Sequence, residues 1–135
     1  MHIQRAERPT GVTILAVVLF LFSLFAFVGS LFMWGDGFLL SFPPGADYHF
    51  PVTDILVNAP ASFIAALGLW KMKQWGYIAA QFVAGFYIYG TVEIFVMVIQ
   101  DGPPYPIEIV IPQVAAVVMA AFLVLYLWRI RARFA

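Results

Sequence analysis

The chain contains no cysteine. That absence excludes disulfides, thiolate metal centres, iron–sulfur ligation and cysteine nucleophiles. Histidine is nearly as scarce. His2 and His49 are the two in the chain, and neither lies in an apolar run, so haem held between two buried histidines of one chain is excluded as well. Charge is the third shortage. Asp, Glu, Lys and Arg make up 10% of the 135 residues, against about 25% in an ordinary soluble domain. Too little charge remains to cover a water-soluble surface. The 14 Phe, 6 Tyr and 4 Trp would leave large apolar patches in water. A soluble enzyme, a disordered tail and a nucleic-acid-binding module are excluded at this level. Catalytic signatures are missing too: the sequence has no HExxH, no glycine-rich phosphate loop, no Ser–His–acid set in one layer and no paired carboxylates within an apolar run. The expectation is a protein that is not an enzyme and that carries no cofactor and no resident metal.

What the sequence has in abundance is long apolar stretches. It is 64% hydrophobic with a mean hydropathy of +0.95. Four runs approach the roughly 20 helical residues needed to cross a bilayer core of about 30 Å. The predicted fold class is an all-α, integral membrane four-transmembrane-helix bundle, a single membrane domain over 1–135, with helices at about 12–34, 52–70, 75–99 and 107–128. Outer loops cover 35–51 and 100–106, a tight turn covers 71–74, and a basic tail covers 129–135. The first run is too long for the apolar core of a signal peptide and no small-x-small cleavage pattern follows it, so it is read as a retained helix. Arg5, Arg8, Lys71, Lys73, Arg129, Arg131 and Arg133 are all the basic residues. Every one belongs to the end shared by the N-terminus, the 71–74 turn and the tail. The positive-inside rule then predicts that both termini and this turn are cytoplasmic. Trp34, Trp70, Trp75 and Trp128 each fall at a predicted membrane boundary, where an aromatic belt is expected.

Within these runs, three polar residues share one predicted depth. Glu93 lies about 9 Å inside the outer end of the third helix, at 1.5 Å per residue. A carboxylate at that depth normally faces a bundle interior or a wet cavity. Asn58 and Gln113 lie about as far inside the second and fourth helices. Pro60 and Pro112 sit in the same layer, and each removes a helical hydrogen-bond donor and kinks its helix. One reading is a polar outer-leaflet cavity forming an ion or proton site from Glu93, Asn58 and Gln113. The other is interhelical hydrogen bonding that fixes packing. Small residues at four-residue spacing predict close helix contacts: Gly76, Ala80 and Ala84 on the third helix, with Gly90 further along it, and Ala61 and Ala65 on the second.

The loop 35–51 is long and aromatic. Its Phe38, Phe42, Tyr48, His49 and Phe50 form a candidate surface for docking a partner protein. Asp47 and His49 are too few to hold a metal. The two hairpins also share an exit pattern, Trp70-Lys71-Met72-Lys73 and Trp128-Arg129-Ile130-Arg131, which either a duplication or the common needs of two outward hairpins would produce.

The opening Arg8-Pro9-Thr10-Gly11-Val12-Thr13-Ile14-Leu15 and the segment Ala66-Leu67-Gly68-Leu69-Trp70-Lys71-Met72-Lys73-Gln74-Trp75-Gly76 resemble the corresponding parts of small uncharacterised four-span prokaryotic inner-membrane proteins. The resemblance implies a multi-pass protein of the prokaryotic inner membrane and no particular activity. The leading expectation is an accessory or assembly subunit of a membrane complex, or a self-associating bundle. Its partners are the lipid bilayer and other membrane-protein subunits or itself, with no nucleic acid. The alternative is a minimal transporter or channel-like protein using the intramembrane Glu93.

Overall fold

The computed structural model describes residues 7–35, 52–105 and 107–135, with the backbone alone for 32–35, 108 and 109. The described residues form four helices: α1 (Thr10–Gly35), α2 (Ala59–Trp70), α3 (Gln74–Asp101) and α4 (Ile107–Ile130). A π-helical segment, Asp54–Asn58, leads into α2, and a 3-10 turn, Arg131–Arg133, follows α4. α1, α3, and α4 together with the turn that follows it contain stretches of 22, 28 and 24 residues that are long and apolar enough to cross a membrane. The second apolar helix, Asp54–Trp70, is shorter. Four helices therefore stand where four were expected, with the second the least extended.

Local chemistry sets the helix ends. Pro9 needs no N–H partner at the start of α1, and its carbonyl accepts from Val12 and Thr13 at 3.0 and 3.1 Å. α2 closes in a Schellman motif. The Lys73 N–H donates to the Gly68 carbonyl at 2.9 Å and the Met72 N–H to the Leu69 carbonyl at 3.0 Å. Met72 holds the left-handed position of this motif with φ 53°, a place usually taken by glycine because a Cβ costs about 1–2 kcal/mol there. Arg8 completes the end of α2. Its Nη1 donates to the Trp70 carbonyl at 2.8 Å, its Nε donates to Thr13 Oγ1 at 2.8 Å, and its guanidinium lies 3.7 Å from the Trp70 ring centre. A cation at a helix C-terminus also complements the helix dipole. Arg131 stacks in the same way on Trp128 at 4.3 Å. Arg131 Nη1 also donates to the Trp128 carbonyl at 2.9 Å, so the two contacts are of one kind although the arginines come from different places, one ahead of α1 and one behind α4.

The core is concentrated at the end of the bundle that holds the 71–74 turn. Leu19 of α1, Leu69 of α2, Val83 of α3, and Leu123 and Leu127 of α4 are fully buried there. α2 and α3 cross backbone to backbone. A Cβ added at Gly68 would collide with the Gly76 Cα, and one added at Gly76 would collide with the Gly68 backbone. Ala65, Ala80 and Ala84, all at 0% exposure, continue this seam. Ala61 is partly buried against the same core. α1 meets α4 at the same end, where the Tyr126 ring fills the space over Gly11. The Gln81 side chain donates to the Leu123 carbonyl at 2.8 Å and ties α3 to α4. The tail folds back here too. Gln74 N–H donates to the Ala135 carbonyl, Ala135 N–H donates to the Met72 carbonyl, and Phe134 packs on Tyr77 with ring centres 5.7 Å apart.

At the other end the bundle opens. Among the described residues, burial on α3 stops at Thr91 and burial on α4 begins at Met119. The far halves of these helices face a cleft rather than a core. The outward faces carry large apolar side chains, with Leu125 and Ile99 about 70% exposed.

Candidate functional site

The cleft between the helices has a volume of about 1130 Å³. α1 contributes Leu21, Phe22, Phe25 and Ala26. The π-helical segment contributes Asp54 and Asn58. α3 supplies residues from Phe86 to Asp101, and α4 supplies Pro112, Gln113, Ala115 and Ala116. From Phe86 to Asp101 it extends about 22 Å along α3, at 1.5 Å per residue. Aromatic and aliphatic side chains form most of the wall, with a few polar groups among them, which is the usual character of a small-molecule site.

Asn58, Glu93 and Gln113, predicted to lie in one layer, all line this cleft. They do not hydrogen-bond one another, and each has its own partner. Asn58 belongs to a ladder at four-residue spacing on the second helical segment, where side chains of i and i+4 lie one above the other. Its Nδ2 donates to Asp54 Oδ1 at 2.9 Å. Ser62 Oγ donates to Asn58 Oδ1 at 3.1 Å and lies 2.7 Å from the Tyr87 hydroxyl. With Ser62 donating to Asn58, the Tyr87 hydroxyl is left to donate to Ser62. The result is a satisfied chain of hydroxyl and amide groups from the buried seam to a carboxylate at the cleft. Gln113 meets Thr91, whose hydroxyl lies 3.3 Å from Gln113 Oε1 and 3.4 Å from its carbonyl oxygen. Glu93 accepts from the exposed Tyr89 hydroxyl at 3.2 Å and is half-buried.

The two prolines act differently. Pro112 lies inside α4. Pro60 falls in the first turn of α2, directly after the π-helical segment. The hydrogen-bond ladder has slipped before it is reached, since Ala59 N–H donates to the Asp54 carbonyl. A single-turn widening of this kind is a common device at functional sites. Ser23 of α1 uses the junction, donating to the Ala59 carbonyl at 2.7 Å.

Several expectations need adjustment. Gly90 was expected at a close helix contact. A Cβ there would meet nothing within 4 Å, because Gly90 sits on the cleft wall where the helices have already parted. Gly68, the true partner of Gly76, was not singled out as a contact residue. Its position three residues before the basic turn carried the signal, since a tight turn brings the helix ends on either side of it together. Ser62, Tyr87 and Thr91 are further polar residues of the site that the sequence reading does not single out. The spacing Asp54, Asn58, Ser62 was the available clue to the ladder. Phe38, Phe42, Tyr48, His49 and Phe50 lie outside the described residues. No group of three or more His, Cys, Asp or Glu side chains able to hold a metal occurs among the described residues.

Comparison with protein-family models, curated proteins and solved structures found no match to this chain.

Proposed function

We propose that the chain is a non-enzymatic multi-pass protein of a prokaryotic inner membrane, with both termini cytoplasmic, that binds a small guest in the cleft between its four helices. In that orientation the cleft opens toward the outer face. This is the minimal transporter or channel-like reading, and the observation that carries it is the cleft itself. Its volume of about 1130 Å³ is slightly above the roughly 300–1,000 Å³ typical of small-molecule sites. Its wall holds Glu93, Asn58 and Gln113, the polar residues that lipid would not tolerate unburied.

The role of accessory subunit or self-associating bundle becomes the second reading. The small-residue faces that would have served it are occupied within the chain: Gly76 lies against Gly68, and Ala65, Ala80 and Ala84 are fully buried. A stretch already packed against a neighbouring helix cannot also receive a partner.

Native mass spectrometry of the protein, extracted in lipid nanodiscs from its own host, tests this. The expected species is the chain with a bound small molecule, and that adduct is weakened in Gly90→Phe, which adds a ring at a lining position where a new Cβ meets nothing within 4 Å. A stoichiometric protein partner would establish the accessory role instead.

A further inference from the structure

The sequence has no Lys or Arg between Arg8 and Lys71, and none between Lys73 and Arg129. Every described Lys and Arg thus lies at the packed end of the bundle. The cleft at the other end takes its ionisable groups from Asp54, Glu93 and Asp101, with Tyr87 and Tyr89, and its described lining includes no Lys, Arg or His. These carboxylates stand in a wall made largely of aromatic and aliphatic side chains, with Phe22, Phe25 and Phe86 among them. They are spread around a wide cavity rather than gathered at a point, and no metal-holding cluster occurs among the described residues.

A bare metal ion needs converging oxygen ligands, which this arrangement does not offer. An anion would meet negative charge on a low-dielectric wall, where repulsion is strong. A bulky organic cation matches every part of the lining. Its apolar body is removed from water by the phenylalanines, aromatic faces attract its charge, and the carboxylates supply opposite charge without competition from a resident base. We infer that the guest of the cleft is a hydrophobic cation: an aromatic or alkyl amine, quaternary ammonium or phosphonium. This rests on the reading of the cleft as a binding site.

Two ions of the same shape and opposite charge separate the two ideas. Binding of tetraphenylphosphonium and of tetraphenylborate is measured by calorimetry on the full chain in detergent micelles. Partition into the micelle is removed by subtracting the signal of protein-free micelles, and binding that Gly90→Phe weakens counts as cleft-dependent, after far-UV circular dichroism has shown that this variant keeps its helix content. The expected result is cleft-dependent binding of the phosphonium at least about tenfold tighter than of the borate, weakened about tenfold in Glu93→Gln, since a charge-assisted contact is worth about one such factor or more. Asp54→Asn is the second variant, in case Glu93→Gln fails to fold. Equal, cleft-dependent binding of both ions overturns the charge inference and leaves the cleft as a binding site. Absence of any cleft-dependent phosphonium binding overturns the inference too, and the mass spectrometry above then decides on the cleft by itself.

Discussion

Gly68→Ala tests the packing argument most directly, because propensity and packing give it opposite signs. In a helix, alanine is favoured over glycine by about 1 kcal/mol. At Gly68 the added methyl would collide with the Gly76 Cα and stand 2.6 Å from the Trp75 ring, where ordinary carbon contacts are about 3.5–4.0 Å. The obstacle is partly backbone, so no rotamer change relieves it, and α2 and α3 must separate by about 1 Å. Ala65, Leu69, Ala80 and Ala84, all at 0% exposure, then lose contact together. Overpacking of this kind costs about 3 kcal/mol at the upper end of its usual range. After the propensity gain, the expected net loss is about 2 kcal/mol, or about a thirtyfold shift toward the unfolded state. Gly85→Ala is the control: it lies on the same α3, and its Cβ would meet nothing within 4 Å. It should gain up to about 1 kcal/mol. Unfolding by sodium dodecyl sulfate in mixed micelles, followed by far-UV circular dichroism, measures both. Tryptophan fluorescence adds a local reading, since Trp70 and Trp75 flank the crossing. If Gly68→Ala gains stability as Gly85→Ala does, the backbone contact at Gly68 and Gly76 is refuted.

The remaining predictions concern ties at the packed end. Gln81→Leu removes the donor to the Leu123 carbonyl. Interhelical hydrogen bonds of this type contribute about 1 kcal/mol or less, so a loss above about 2 kcal/mol in the same unfolding assay would contradict the assignment. Phe134→Ala should free the tail. The amides of Gln74 and Ala135, which pair with the Ala135 and Met72 carbonyls, should exchange with deuterium faster, while amides at the middle of α3 keep their protection. Unchanged exchange at those two amides would show that the Phe134 ring is not what holds the tail down.

Helix placement was legible because each run is bounded by residues with one local meaning: Pro9 before α1, Lys71 to Lys73 between α2 and α3, and Gly102 with φ 72° after α3. The polar layer was legible from counting residues inward, since rise per residue is constant in a helix. The hydrogen-bond partners were not. Asn58 was grouped with Glu93 and Gln113 by depth, whereas it pairs with Asp54 and Ser62 along its own helix. Depth follows from chain position, but pairing also depends on rotation about each helix axis. The nearly uniform hydrophobicity around these helices carries little information about that rotation, because lipid and core select the same side chains. Gly90 and Gly76 illustrate the point. Both are glycines on α3, and one lies in open space while the other touches backbone.

The sequence by itself determined the class of molecule. Charge scarcity, four apolar runs and a one-sided set of basic residues are properties of composition and order, and they act through the free energy of moving side chains between water and an apolar medium. Tertiary structure decided what the class leaves open: that the helices pack tightly at the basic end and splay at the acidic end. The tight end follows from where small residues permit backbone contact, at Gly68 and Gly76, with Ala80 and Ala84 fully buried along the same seam. Such a balance between distant parts of the chain exists only once the helices are brought together.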